Sequence, residues 1–371
     1  MKALICAVLI ATLIAMAGCG GGSHITSTTN VAFLYVVGQG ANTIQGFHIQ
    51  ASGEISATSV PSFATNPRPV AMALHPSTNF LYVANLTANT VSGYNVDHSS
   101  GFLTPVGAAL SPVPTGPSPV ALGVNSGGQF LFVLNQGDAT ISVYAIDGTR
   151  GILTQVGSPF PTSLPTPQSM VVSPTAPFLY VVSGTAPSTI SVFSISASGA
   201  LAAAPGSFTG VPTSNISRMT IDPKGQFLYA ADSANNNVVS LSINASGALS
   251  QVAGSPFAAG TQPLAVAVDL SGTLVYVSNS GSNDVSAFKS NAGVLTQITG
   301  SPFPTQGTGT VAATQPGFLI VDATNKFVYV SNVATKAIAA FAINLADGTL
   351  VPVNNSPFGQ VVAPAWMIST K

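Results

Sequence analysis

Few side chains in this chain are equipped for chemistry, and two of them fall on one expected hairpin. Arg218 lies in Ile216-Ser217-Arg218-Met219-Thr220-Ile221, and Asp232 closes the next apolar run, Phe227-Leu228-Tyr229-Ala230-Ala231. A guanidinium and a carboxylate on neighbouring strands make either an anion- or sugar-binding pair or a structural ion pair, since a buried arginine needs a partner. Phe318 and Trp366 occupy the positions equivalent to Arg218 in other copies of the same pattern. They offer either a sugar-stacking surface or plugs that fill space. Arg68, in Asn66-Pro67-Arg68-Pro69, is a loop cation and a further candidate ligand contact, with surface exposure as its default.

Other chemistries find little support. His48, His75 and His98 have no partner at i, i+2 or i, i+4, so no zinc site is expected. The carboxylates are scattered, mainly at turns where Asp caps a bend, and a calcium cage needs several oxygens converging. No Gly-rich phosphate loop or nucleophile elbow occurs, and no cofactor is predicted. The net charge of -1 gives no basic field for nucleic acid. Charged residues are only 5% of the chain, against about 25% in an ordinary domain. The surface must therefore be wetted by Ser, Thr, Asn and Gln.

The two cysteines, Cys6 and Cys19, both lie near the start, which leaves the folded part without a disulfide or thiolate site. Lys2 followed by the apolar run Ala3 to Ala15 reads as a secretory signal, too short for the roughly 20 residues of a membrane span. Met16-Ala17-Gly18-Cys19 resembles the bacterial lipobox, in which the cysteine is lipidated and becomes the mature N-terminus. Residues 1–18 are thus expected to be a lipoprotein signal peptide and 19–30 a flexible tether, opening with Gly20-Gly21-Gly22-Ser23. The expected partner is the membrane, reached through lipid on Cys19. By resemblance to Gram-negative lipoproteins, Gly20 rather than Asp after the cysteine implies the outer membrane, if the source has one.

The elements that must position these residues come from a repeat. Phe80-Leu81-Tyr82-Val83 reappears in seven versions, starting at Phe33, Phe80, Phe130, Phe178, Phe227, Leu274 and Phe327. The period of about 47–53 residues marks a propeller or similar array. Each unit divides into four short runs separated by turn residues. They are an innermost strand such as Pro263-Leu264-Ala265-Val266-Ala267-Val268, the Phe-Leu-Tyr-Val strand, an alternating strand such as Thr140-Ile141-Ser142-Val143-Tyr144, and an outer strand. The first Phe-Leu-Tyr-Val has no innermost strand before it, and Pro364-Ala365-Trp366-Met367-Ile368-Ser369 has no Phe-Leu-Tyr-Val after it. Joining the two halves removes the open sheet edges. The reading for 31–371 is all-β: a seven-bladed β-propeller of four-stranded blades, closed by the C-terminal strand completing the N-terminal blade.

Leu81-Tyr82-Val83-Ala84-Asn85, Val275-Tyr276-Val277-Ser278-Asn279 and the repeated Gly-Ser-Pro-Phe resemble the lactonase-type seven-bladed propeller family, related to the YVTN-repeat proteins. The resemblance covers essentially 31–371. It implies the fold and, in members that resemble 6-phosphogluconolactonase, lactone hydrolysis. Such members carry an Arg-His pair at the start of an innermost strand and a Glu after the next strand. Counting back from Pro223, Ser217 stands in the Arg place and Arg218 in the His place, while Asp232-Ser233 stands in the Asn-Glu place. Hydrolysis needs a base for water and a donor for the developing oxyanion. Arg218 could donate, with Asp232 as a base acting through water. The expectation is a lipid-anchored, extracytoplasmic binding module for a carbohydrate, small ligand or protein. The alternatives are a lactone hydrolase using Arg218 and Asp232, and a structural cell-surface protein.

Overall fold

The computed structural model describes residues 32–107, 112–210, 214–305, 314–359, 361 and 363–370. Cys19, the signal segment and the tether lie outside them. Among the described residues no helix is long and apolar enough to cross a membrane.

Seven antiparallel sheets follow one another around a ring. Blade 5 illustrates them all: Ile216–Ile221 innermost, then Phe227–Asp232, Asn237–Ile243 and Leu249–Gln251 at the rim. The second strand of each blade is apolar on both faces because both are covered. Leu228, Tyr229, Ala230 and Ala231, for example, are all fully buried. Blades 2, 3, 5, 6 and 7 split the outer strand in two. In blade 5 both Leu249–Gln251 and Phe257–Ala258 pair with Asn237–Ile243. Blades 1 and 4 keep it continuous, as Ile55–Ala64 and Leu201–Thr209, with a bulge.

Blade 1 is built from both ends of the described chain. Pro364–Ser369 pairs with Ala32–Gly38, with Tyr35 opposite Ile368 and Val37 opposite Trp366. Seven apolar clusters sit one between each pair of neighbouring blades. The cluster that joins blade 7 to blade 1, around Leu34, Val36, Tyr329, Ile338 and Met367, is as dry as the rest. Each fully buried Val, Leu or Ile in these layers contributes about 1.5–3 kcal/mol. The interfaces between blades therefore carry the fold.

The scattered carboxylates explain themselves at the rim that bears the turns leaving the innermost strands. Asp222 Oδ1 accepts the Gln226 and Phe227 backbone N–H groups at 2.6 and 2.7 Å. Asp269 does the same for Thr273 and Leu274, and Asp322 for Lys326 and Phe327. These carboxylates tie turns. Among the described residues no group of three or more His, Cys, Asp or Glu could hold a metal ion.

Candidate functional site

The innermost strands all begin with a bulge, and these bulges shape the mouth of the axial channel. In blade 5, Ile216 pairs with Asp232 and Arg218 with Ala231, so Ser217 is skipped. Gln168, Leu264 and Ala365 are skipped in blades 4, 6 and 1, and blade 7 skips both Gly317 and Phe318. A bulge re-aims the side chain at its extra residue. Gln168, Ser217, Leu264, Gly317 and Ala365 accordingly line a funnel of 530 Å3, with Asn215 and Ser233 among its polar contributors. This ring of bulge residues was not anticipated as a site; Ser217 figured only as the residue in the family's Arg place. Its signal lies in the sequence, one place after the residue, most often Pro, that opens each innermost strand.

The next layer down holds the chemistry. Blade by blade from the second it reads Ala71, Ala121, Ser169, Arg218, Ala265, Phe318, and then Trp366 of blade 1. Four small residues leave room that three large ones fill. Phe318 and Trp366 stack with centroids 4.3 Å apart and ring planes 22° from parallel. The Arg218 guanidinium carbon lies 5.2 Å from the Phe318 centroid and 4.7 Å from that of Trp366. The aromatic faces meet each other and the cation. Arg218 and Phe318 line the funnel above and, with Trp366, a second chamber of 350 Å3 below.

Arg218 keeps part of its surface open to the channel although protein surrounds it on every side. Burial lowers its pKa to about 10, so it remains a cation at neutral pH. The structural ion pair with Asp232 considered from the sequence does not form. Side chains directly opposite across an antiparallel pair share a face, and the residue opposite Arg218 is Ala231; its neighbour Asp232 projects to the other side. Asp232 Oδ1 accepts the Asn215 backbone N–H at 2.9 Å and Oδ2 accepts from Asn235 Nδ2 at 2.7 Å. Both oxygens serve the mouth of their own hairpin. Among the described residues the ion pair that does form is Arg150–Asp147, exposed at a turn. The partners of the Arg218 charge are two ring faces, worth about 0.5–2 kcal/mol each.

Arg68 is placed elsewhere. It is exposed on the loop entering blade 2 with φ of 58°, its backbone N–H held by Asn42 Oδ1 at 2.8 Å, and it lines neither chamber. The structure thus brings Arg218, Phe318 and Trp366 together and leaves Asp232 and Arg68 apart from them.

Four-stranded blades in a ring of seven, around an axial pocket at the starts of the innermost strands, define a seven-bladed β-propeller. The chain belongs to the family described as Lactonase, 7-bladed beta-propeller, whose profile matches residues 9–116, 109–215, 170–311 and 219–364. Among solved structures it is similar to a candidate 6-phosphogluconolactonase from Bacteroides uniformis, with 19% identity over 92% of this chain and 100% of that one and a TM-score of 0.77. A second candidate 6-phosphogluconolactonase, from Bacteroides fragilis, is 20% identical over 93% and 99% of the two chains, with a TM-score of 0.75. The periplasmic gluconolactonase of Pseudomonas aeruginosa is 19% identical over 92% and 99%, also with a TM-score of 0.75. At such identities the likeness shows the fold. No curated protein matches the chain.

Proposed function

We propose that this lactonase-family propeller is a binding module that holds a small anionic ligand on Arg218 in the axial channel. The observation that carries the reading is a half-buried cation, open to the channel, whose near neighbours are aromatic faces and neutral side chains, with no carboxylate in pairing contact among the described residues. Removing a charge from water is costly unless an opposite charge meets it. An anion arriving through the funnel supplies that charge, and Gln168, Asn215, Ser217 and Ser233 supply uncharged hydrogen-bonding groups around it. Sugar acids and other small carboxylates have the chemistry to match. Trp366 is the chain's single tryptophan and lies against the guanidinium, so its fluorescence reports directly on the site. Titration with gluconate and acetate should change that emission in the native protein and leave it unchanged in Arg218→Gln.

A second reading, lactone hydrolysis, draws on family membership and on the solved gluconolactonase neighbour. Arg218 would stabilise the oxyanion formed as water adds to the lactone carbonyl. The reading then lacks an acceptor for the water's proton, since Asp232 sits on the face opposite Arg218, with one oxygen held by Asn215 and the other by Asn235. Turnover of gluconolactone above the uncatalysed rate, lost in Arg218→Gln, would favour hydrolysis over binding alone.

We also propose export and tethering through a lipid on Cys19, on the strength of the Met16-Ala17-Gly18-Cys19 motif. Metabolic labelling with palmitate should mark the native protein and not Cys19→Ser.

A further inference from the structure

The exposed large apolar side chains of the propeller are unevenly spread around the ring. Phe102, Ile152, Leu270, Val294 and Leu345 all stand in or beside turns of one rim, the rim opposite the funnel. Leu345 is 58% exposed and Leu270 49%. These five belong to blades 2, 3, 6 and 7, an arc whose middle is blade 1. Val351 adjoins the Leu345 turn on the outer strand of blade 7, and Val60 lies on the outer strand of blade 1. Val333, also exposed, lines the funnel instead. Among the described residues, blades 4 and 5 contribute no exposed large apolar side chain. Their turns at this rim carry residues such as Ser198, Lys224 and Ser246.

The folded chain starts at the middle of that arc. Ala32 pairs with Ile49 beside the 50–54 turn, and the strand it opens runs from this rim to Gly38 at the funnel end. Twelve residues, 20–31, separate Ala32 from Cys19, and a chain of that length spans about 45 Å at most. A lipid on Cys19 would therefore hold this rim near the bilayer.

We infer that this arc of the rim rests on the lipid bilayer, with the funnel to Arg218 facing away into the aqueous phase. The inference rests on the reading of Cys19 as a lipid anchor. Apolar side chains that water surrounds are transferred into the boundary between headgroups and acyl chains, about 5–10 Å deep. The anchor makes each such contact intramolecular, so shallow insertion of single side chains suffices. The acids on the arc are engaged in their own turns. Asp97 accepts from the Ser99 and Ser100 hydroxyls, Asp147 pairs with Arg150, and Asp347 accepts from Thr349. With no cluster of cations on the arc, the contact is apolar and owes nothing to anionic lipid. A second copy of the chain could also cover apolar side chains, but contact between copies has no reason to centre on the blade that receives the tether.

The test uses the full-length protein, purified from the membranes of the expressing cells and reconstituted into phosphatidylcholine vesicles with brominated acyl chains. Phe102→Trp, Ile152→Trp and Leu345→Trp should each add emission that bromine quenches, whatever the salt concentration. Val333→Trp at the funnel and Ala245→Trp in blade 5 should add emission that bromine leaves intact. Trp366, in the channel, should stay unquenched in the native protein and serves as the internal reference. All five positions are exposed, so the substitutions spare the core. Quenching as strong at Val333 and Ala245 as at Phe102 would overturn the inference. So would unquenched rim reporters in a protein that takes the palmitate label, a result that leaves the anchor reading standing. A disulfide-linked dimer formed by Leu345→Cys on oxidation in the vesicles would assign the arc to a second copy and also overturn it. If the native protein takes no palmitate label, the anchor reading fails and the inference falls with it.

Discussion

The hydroxyl of Tyr329 donates a 3.0 Å hydrogen bond to the carbonyl oxygen of Gly53, 276 positions away in sequence and one blade further round the ring. The same contact joins Tyr35 to Gly101, Tyr82 to Gly151, Tyr180 to Gly247 and Tyr276 to Gly348, each from one blade to the next. The Tyr329 copy bridges blade 7 and blade 1, where the ring closes. Gly53 has φ of +86°, and a Cβ there would lie 2.3 Å from Phe327 Cε1. Two demands, left-handed backbone and ring contact, thus fall on one residue. Tyr329→Phe should cost about 1 kcal/mol, the usual net worth of one hydrogen bond. Gly53→Ala should cost about 2–4 kcal/mol from backbone strain and overpacking together. Urea unfolding midpoints measure both.

Blade 3 lacks this contact because its residue is Phe132, fully buried, while Gly199 is present in the next blade with φ of +83°. Phe130 covers Gly199 as the equivalent phenylalanines cover Gly53, Gly101, Gly151 and Gly247. Phe132→Tyr should therefore place a hydroxyl against the Gly199 carbonyl and stabilise the fold by about 1 kcal/mol. A loss of about 1–3 kcal/mol, the cost of an unpaired buried hydroxyl, would show that the blade 3–4 spacing differs from the others.

The blades, their strand order and the closure through Tyr35 and Trp366 were legible in the sequence because the repeat sets period, face and turn together. The layer of Arg218, Phe318 and Trp366 was legible too, since equivalent positions in a ring of repeats must meet at the axis. The partner of Arg218 was not. Pairing it with Asp232 required knowing the register, and the bulge at Ser217 puts Ala231 opposite the arginine. Nor did residue types say whether Phe318 and Trp366 present free faces. That depends on the side-chain angles that stack them on each other. The funnel's ring could have been placed, since each bulge falls one residue after the strand-opening residue, but which way those side chains point is set by the bulge and not by residue type.

All eight tyrosines have pKa values raised by burial, to about 12 for Tyr180 and Tyr229. Their unfolded value is about 10. Above that pH the unfolded chain releases phenolic protons that the folded chain retains, so the folded state binds more protons and stability falls as pH rises. The tyrosine contribution is complete below about pH 10 and is lost through the folded values. Arg218 acts in the opposite sense, since its lowered folded value relieves a penalty as pH climbs past about 10. Eight groups against one decide the sign. Denaturation midpoints should be flat from about pH 8 to about pH 10 and drop beyond it, with tyrosinate absorbance appearing only as the protein unfolds.

The stability of Arg218→Met separates an arginine kept for structure from one kept for a ligand. Methionine preserves much of the aliphatic stem and the contact with aromatic rings, so little packing is lost. What disappears is a buried charge held by Phe318 and Trp366 in place of a carboxylate. Cutting one member of a buried ion pair costs about 3–5 kcal/mol because its partner is stranded, but among the described residues Arg218 has no such partner. The cation–ring attraction that is lost, about 0.5–2 kcal/mol per ring, opposes the relief from desolvation, a term of several kcal/mol per buried ion. Arg218→Met is therefore expected to leave the urea midpoint unchanged or raise stability by up to about 2 kcal/mol, while the Trp366 response to anions vanishes. A loss of about 3 kcal/mol or more would mean that the guanidinium holds the channel together and that ligand anchoring is not its main role.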